Sequence, residues 1–326
     1  MTLLPRDEFP HPRPDDTAGH WKDTWWLICR DSDNDVTIQA HLEVAPQDAE
    51  SVVRSSVVVR HHGVEGSRME YGTYSDTDSD IFGTDNFTIE VADARWTVDK
   101  HLILRGNVEP FDFEIHLRGS FPAADMTEIA PNWHPVDEKT GQELRHVQQA
   151  MKFTGALRVD GSATAIEIDG LGIRDRSWGW RVSQAMHRYG WQGAFFQTPE
   201  YAGSLSLMNV ADDPAVPGNA SGWIADANGL QGCSGGEMVT DATGRIARLS
   251  LEGVDGVAAA VTTTAQEVAV YFPFHDIEGD EDQMVIGTVE HHMTIVDDRD
   301  AAGWGLYSVA RPYRSHPMRG ANFRTV

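Results

Sequence analysis

The residues best suited to chemistry are concentrated in one twelve-residue segment, Gly170-Leu-Gly-Ile-Arg-Asp-Arg-Ser-Trp-Gly-Trp-Arg181. Glycines let backbones approach closely, and an aspartate between two arginines is costly to bury unless its charge is paired. If the segment is extended, Arg174, Arg176 and Trp178 share one face and Asp175 lies on the other. A carboxyl group beside a serine can act as an oriented acid, and a tryptophan beside guanidinium groups permits cation–π stacking. The pattern predicts either a catalytic acid or a buried ion-pair network that ties two domains together.

The segments that would position this cluster are mostly strands. Apolar and polar residues alternate from Val36 to Val44 and from Phe111 to Leu117, a pattern typical of half-buried strands. The Asp160-Gly161 pair, placed between two such runs, is a strong hairpin signal. Residues 142–151 fit either a helix or an extended run, and convincing helices are scarce elsewhere. We therefore predict an all-β fold of antiparallel β-barrel or sandwich domains.

Length and composition bound the domain organisation. The chain has 326 residues, of which 40% are hydrophobic, enough for the core of one large domain or of two ordinary ones. We predict two domains in tandem, residues 1–165 with an extended N-terminal arm and residues 166–326. Two widely separated cysteines, Cys29 and Cys233, cannot build a disulfide framework or a CxxC metal pair.

The charge of the chain excludes several classes of partner. Lys and Arg number 26 against 50 Asp and Glu, a net charge of −24 that repels phosphate backbones and anionic membrane surfaces. We expect no nucleic-acid partner, and the need for a soluble surface or a salty host accounts for the charge.

The N-terminus is too polar and proline-rich for a signal peptide, and no apolar run is long enough to span a membrane. The expected location is the cytoplasm.

Several short motifs imitate known sites but lie in the wrong context. Gly232-Cys-Ser-Gly-Gly236 matches the G-x-S-x-G pattern of a nucleophile elbow, yet a β-like segment follows it rather than a helix. Asp76–Asp80 begins like a calcium loop but lacks the required glycine and glutamate. In His61-His62 and Glu290–His292, neighbours on a strand would point to opposite faces. No nucleotide-binding glycine motif is present, and we predict neither a metal nor a cofactor.

The central motif resembles that of the carotenoid 1,2-hydratase (hydroxyneurosporene synthase) superfamily. The similarity includes His146-Val-Gln-Gln149 before the motif and Tyr189-Gly-Trp-Gln192 after it, and later Gly287–Met293 and Gly303–Tyr307. The resemblance implies two lipocalin-like β-barrel domains with the motif at their junction. It also implies the broad chemistry of that superfamily, which includes hydratases, terpenoid-type cyclases and fungal pericyclases.

The first function that fits is a cofactor-independent hydratase, dehydratase, isomerase or cyclase. It would act by acid–base chemistry on a hydrophobic, terpenoid- or polyketide-like small molecule. Asp175 is the expected general acid, because an apolar pocket raises the pKa of a carboxyl group. His146 is expected to be a second acid–base group and Tyr189 a hydrogen-bond partner. The expected substrate-binding residues are Trp178, Trp191, Arg174, Gln149, His292 and Tyr307.

The second function is a non-catalytic carrier, in which one or both barrels hold a hydrophobic ligand without needing an acid. The site residues have structural alternatives as well, since Trp178 and Trp191 could serve core packing and His146 could cap a barrel. A scaffold whose acidic surface recruits a protein partner is a third alternative, and the sequence leaves a homodimer open.

Overall fold

The computed structural model describes residues 11, 20–47, 50–75, 87–91, 94–98, 102–129, 144–181, 189–210, 219–242, 245–274, 286–311 and 321–324. The chain divides into two compact units, Met1–Asp125 with Val136–Arg181, and Met126–Pro135 with Val182–Val326. The acidic loop that imitates a calcium site, Asp76–Asp80, lies outside the described residues.

The first unit is built on one antiparallel sheet, which has eleven strands within the described ranges. These strands are β1 (His20–Asp31), β2 (Val36–Gln47), β3 (Glu50–His61), β4 (Val64–Ser75), β5 (Phe87–Val91), β6 (Ala94–Val98), β7 (Leu102–Val108), β8 (Phe111–Gly119), β9 (Ala124–Asp125), β10 (Leu144–Val159) and β11 (Ile166–Arg181). The strand order is β4-β3-β2-β1-β11-β10-β8-β7-β6-β5, and β9 pairs with β10. The sheet curls into a half-barrel.

The second unit begins with a four-residue helix, α1 (Met126–Ile129), and is otherwise made of strands where the structure describes it. Its strands are β12 (Tyr189–Gln197), β13 (Tyr201–Val210), β14 (Asn219–Asp226), β15 (Gly229–Thr240), β16 (Ile246–Gly253), β17 (Ala258–Phe274), β18 (Ile286–Asp297), β19 (Ala302–Arg311) and β20 (Ala321–Arg324). The order is β14-β13-β12-β19-β18-β17-β16-β15-β20, and β14 also pairs with β15. This second pairing closes eight strands into a barrel.

The predicted all-β fold with tandem antiparallel barrel domains is confirmed. Residues 142–151, for which the sequence allowed a helix or a strand, are extended from Leu144 onward as part of β10. The predicted turn at Asp160-Gly161 joins β10 to β11, which pair along their length. The predicted division between residues 165 and 166 falls just before β11, which pairs with β1 and β10 inside the first unit.

The core of the first unit explains one glycine of the central motif. Alternate residues of β1, including Trp25 and Leu27, belong to this core, and the even-numbered residues of β11 face the same side. A Cβ atom on Gly172 would lie 2.0 Å from the carbonyl oxygen of Ile28 and 2.3 Å from the ring of Phe153. Only glycine permits this approach between β11 and its neighbours.

The G-x-S-x-G sequence at residues 232–236 lies within β15, which pairs with β14 and β16. The rejection of a nucleophile elbow is therefore confirmed, because that motif requires a turn from a strand into a helix.

Across the described residues, no helix has the length and apolar character needed to cross a membrane.

Candidate active site

The chemical segment of the motif lies on β11 between two hydrogen-bonded neighbours. Asp175 is opposite Gln148 of β10 on one side and Trp26 of β1 on the other. Directly opposed residues of an antiparallel sheet share a face, so these three side chains project together. Arg174 and Arg176 project to the opposite, core-facing side. The predicted separation of Asp175 from the flanking arginines is confirmed.

The Asp175 carboxyl group is bound by two side chains of β10. Nε2 of His146 lies 2.5 Å from Oδ2 of Asp175, and Nε2 of Gln148 donates a hydrogen bond to the same oxygen at 3.0 Å. The His146 and Asp175 side chains are 15% and 23% exposed, so solvent can still reach them. A hydrogen bond between an imidazole and a carboxyl group holds one proton, which the pair can release or take up.

The face that carries Asp175 is otherwise mostly apolar. The next row of directly opposed residues across β10, β11, β1, β2 and β3 is buried and consists of Ala150, Ile173, Ile28, Gln39 and Val58. Gln39 is completely buried, and neither atom of its amide group has a hydrogen-bond partner within the described residues. A polar group left in this state is costly, so Gln39 is suited to bind a polar atom of a ligand.

The core-facing side of β11 carries a buried ion pair. Arg176 pairs with Asp23 of β1, and each residue is 1% exposed. The guanidinium carbon of Arg176 lies 3.8 Å from the ring centroid of Trp25 and 4.9 Å from that of Trp178. His11 stacks on Trp178 and donates its backbone N–H to Asp23 at 2.6 Å. Trp178, predicted to bind substrate, therefore belongs to a buried cluster on the side away from Asp175.

Two other predicted substrate-binding residues contact each other on that same core-facing side. Nε of Arg174 donates a hydrogen bond to Oε1 of Gln149 at 3.1 Å. Nε2 of Gln149 in turn donates to the backbone oxygen of Phe121 at 2.8 Å. The structure therefore brings Arg174 and Gln149 together, but not on the face of Asp175.

The remaining predicted site residues lie in the second unit. Tyr189 and Trp191 belong to β12, and the structure describes their backbone. Nδ1 of His292 on β18 accepts a hydrogen bond from the indole of Trp304 at 3.1 Å, so the proton of the neutral imidazole is on Nε2. Tyr307 on β19 belongs instead to the core of the barrel.

Sequence reasoning missed four polar or aromatic residues of these faces. Gln148 had a usable signal, because it lies two residues after His146 and must share its face on a strand. Trp26, Gln39 and Asp23 had no such signal, since their relation to β11 depends on the pairing of β1 with β11 and of β2 with β1.

Within the described residues, no group of three His, Cys, Asp or Glu side chains could hold a metal ion.

Comparison with known proteins places the chain in a family. The family described as "Domain of unknown function (DUF7064)" matches residues 4–311. The chain belongs to this family. No curated protein matches the DUF7064 chain.

Solved structures similar to the DUF7064 protein share its fold at low sequence identity. CghA with Sch210972 has a TM-score of 0.64 and 9% identity over 91% of this chain and 90% of the other. A protein from Nitrosomonas europaea, provisionally described as AttH, has a TM-score of 0.59 and 13% identity over 95% and 97%. Kievitone hydratase from Nectria haematococca has a TM-score of 0.50 and 14% identity over 88% of both chains. At these identities the likeness concerns the fold alone.

Proposed function

We propose that the protein is a cofactor-independent enzyme of the hydratase, dehydratase, isomerase or cyclase type. Its substrate is a hydrophobic small molecule of terpenoid or polyketide character, and its chemistry is proton transfer. The observation that carries this proposal is the hydrogen bond between His146 and Asp175, on a mostly apolar face of the first unit. The name of kievitone hydratase, together with the resemblance of the motif to the carotenoid 1,2-hydratase superfamily, supports the same class.

The proposed reaction uses the proton held between Asp175 and His146. The pair transfers this proton to one carbon of an alkene, which breaks the π bond and leaves a cation at the other carbon. In a hydratase, the oxygen of a water molecule bonds to that cation, and the proton that the water loses returns to the pair. In an isomerase, a carbon beside the cation loses a proton to the pair, and a new π bond forms there. In a cyclase, the π electrons of a second alkene form a bond to the cation, and the new cation then loses a proton to the pair.

Two neighbours of Asp175 have proposed roles in this reaction. Trp26, directly opposite on β1, presents an aromatic side chain on the same face, where the π-system can stabilise a cationic intermediate. Gln148 orients the carboxyl group through its hydrogen bond to Oδ2. Gln39, in the next row, would bind an oxygen of the substrate.

The decisive experiment compares Asp175→Asn with wild type on a panel of apolar alkenes and enones in water enriched in heavy oxygen. We expect wild type to convert at least one compound, and a hydratase to incorporate the heavy isotope. The Asn variant should lose about 10²- to 10⁴-fold in turnover and keep its affinity for the substrate. Asp169→Asn is the matched control, because Asp169 lies on the same strand and is exposed.

Two outcomes would overturn the proposal. Full activity in Asp175→Asn would show that this carboxyl group takes no part in the chemistry. Tight binding of panel compounds without conversion by wild type would instead identify a carrier, which has no use for an acid.

A further inference from the structure

The second unit has a buried carboxyl group for which the reaction above provides no role. Glu290 on β18 is 1% exposed. Met293 and Ile295 on the same strand belong to the barrel core, so Glu290 and His292 lie on the other face of the sheet. Burial of a carboxyl group removes it from water and is costly, and buried titratable groups cluster at functional sites.

Glu290 begins a row of short side chains that crosses five strands. The members of this row, each directly opposite the next, are Glu290, Ser308, Gly193, Ser206 and Ser221. The parallel row beside it is larger and mostly apolar, and it consists of His292, Leu306, Phe195, Ser204 and Trp223. Both rows are buried where side chains are described, so a polar strip runs beside an apolar one on this face.

Aromatic rings flank the polar strip. The ring of Phe195 lies 6.0 Å from that of Trp223 and 5.6 Å from that of Trp304. Trp304 also lies 5.8 Å from the ring of His292 and donates its indole N–H to that residue. These rings offer an apolar ligand a wall beside Glu290.

The hydrogen bonds of Glu290 show which of its oxygens is available. Oγ of Ser308 donates to Oε1 at 2.8 Å, whereas Oε2 has no hydrogen-bond partner among the residues the structure describes. Burial raises the pKa of Glu290 to about 8, although the hydrogen bond from Ser308 acts in the opposite direction. Because the carboxyl group is buried, its neutral form is favoured, with Oε1 as the acceptor from Ser308 and Oε2 carrying the proton.

We propose that Glu290 and Ser308 form a ligand-binding site in which Oε2 of Glu290 donates a hydrogen bond to a carbonyl oxygen of an otherwise apolar ligand. An unmade hydrogen bond at a buried group costs roughly 1–3 kcal/mol, and a ligand acceptor at this position removes that cost. A purely hydrocarbon ligand would leave the cost in place. The site therefore selects oxygenated apolar molecules over hydrocarbons, and it does so whether the protein is an enzyme or a carrier.

Carvone and limonene test this selection, because they share one carbon skeleton and carvone adds a ketone. Their affinities are measured by calorimetry for the full chain and for Glu290→Leu, Glu290→Gln and Ser308→Ala. Wild type should bind carvone about tenfold or more tightly than limonene. Glu290→Leu should lose this preference while its affinity for limonene stays the same or improves. Glu290→Gln should keep part of the preference, since its amide can still donate.

The exposed Glu167→Gln variant is the matched control for loss of a carboxyl group and should leave both affinities unchanged. If Glu290→Leu fails to fold, Ser308→Ala takes its place in the test. This variant removes the hydrogen bond that orients the carboxyl group of Glu290, so it should reduce the preference for carvone over limonene. Equal affinity of wild type for the two terpenes, binding of neither, or an unchanged preference in the Glu290 and Ser308 variants would overturn the proposal. None of these readouts depends on Asp175, whose role is tested by turnover.

Discussion

The imidazole of His146 binds the carboxyl group of Asp175 diagonally across two strands. In the register of β10 and β11, His146 is opposite Ser177, and Asp175 is opposite Gln148. Nevertheless Nε2 of His146 lies 2.5 Å from Oδ2 of Asp175. Diagonal neighbours on one face of a sheet are within reach of long or aromatic side chains. One oxygen of Asp175 thus contacts both an orienting amide and a titratable ring.

The diagonal contact predicts a large effect of His146→Phe on turnover. Removing the imidazole takes the His146 side of the proton exchange away from Asp175, so kcat on a substrate found with the alkene and enone panel should fall about 10²-fold or more. Gln148→Leu removes an orienting hydrogen bond and should cost about tenfold. Steady-state kinetics separate kcat from KM for each variant.

His116→Phe is the matched control for this prediction. His116 on β8 is also partly exposed and also binds a carboxylate, with Nε2 2.8 Å from Oε1 of Glu114. The His116→Phe variant should therefore keep the kcat of wild type. A His146→Phe enzyme that turns over as fast as wild type would contradict the role of the pair.

Glu290→Gln should change how stability depends on pH. Folding raises the pKa of Glu290 to about 8, so the protonated group favours the folded state. That contribution is fully present below the unfolded pKa of about 4.3 and is lost as the pH rises through about 8. The Gln variant is neutral in both states and lacks this loss. Relative to wild type it should gain at least about 1.4 kcal/mol between about pH 5 and about pH 8.

Urea unfolding at several pH values measures this gain as the difference between variant and wild type. Glu167→Gln, which removes an exposed carboxyl group, should show a much flatter difference. Parallel curves for Glu290→Gln and wild type would mean that Glu290 is ionised in the folded protein.

The Arg176 and Asp23 pair should behave as a buried ion pair. Asp23→Leu leaves the Arg176 charge buried without its partner and should lower the free energy of unfolding by about 3–5 kcal/mol. The double variant Asp23→Leu/Arg176→Met should recover much of this loss, since two apolar side chains replace two charges. Urea unfolding followed by tryptophan fluorescence measures both, and equal losses in the single and double variants would contradict a buried pair.

Glu200→Gln provides the control for the ion-pair prediction. Glu200 pairs with Arg299 at 3.3 Å, and both side chains are more than half exposed. Solvent screens such pairs, so this variant should unfold like wild type.

Gly172→Ala should destabilise the first unit. The added Cβ atom would overlap the backbone oxygen of Ile28 and the ring of Phe153, which forces β1 or β10 to shift. Overpacking of this kind costs about 1–3 kcal/mol and should lower the melting temperature in calorimetry. Thr154→Ala, at an exposed position of β10, is the control. An unchanged melting temperature for Gly172→Ala would show that the strands can move apart without cost.

Local patterns in the sequence predicted the fold class and the separation of Asp175 from its flanking arginines. Alternation of apolar and polar residues predicted the strands, because side chains on a strand point to opposite faces in turn. The same rule separated Asp175 from Arg174 and Arg176 before any pairing was known. The grouping of Trp178 with Asp175 as site residues did not follow from that rule, and the structure places Trp178 on the core-facing side with Arg176.

Alternation within single strands was enough to predict the all-β fold and, on the condition that residues 174–178 are extended, the face on which Asp175 lies. The residues that meet that face come from strands distant in sequence, so their positions follow from the packing of the whole sheet. Asp23 pairs with Arg176 across 153 positions of sequence, and His146 reaches Asp175 across 29. Trp26 lies opposite Asp175, and Ser308 binds Glu290, because strands that pair in the sheet bring these residues together. Strand order and register set these contacts, and neither is encoded in the alternation of a single strand.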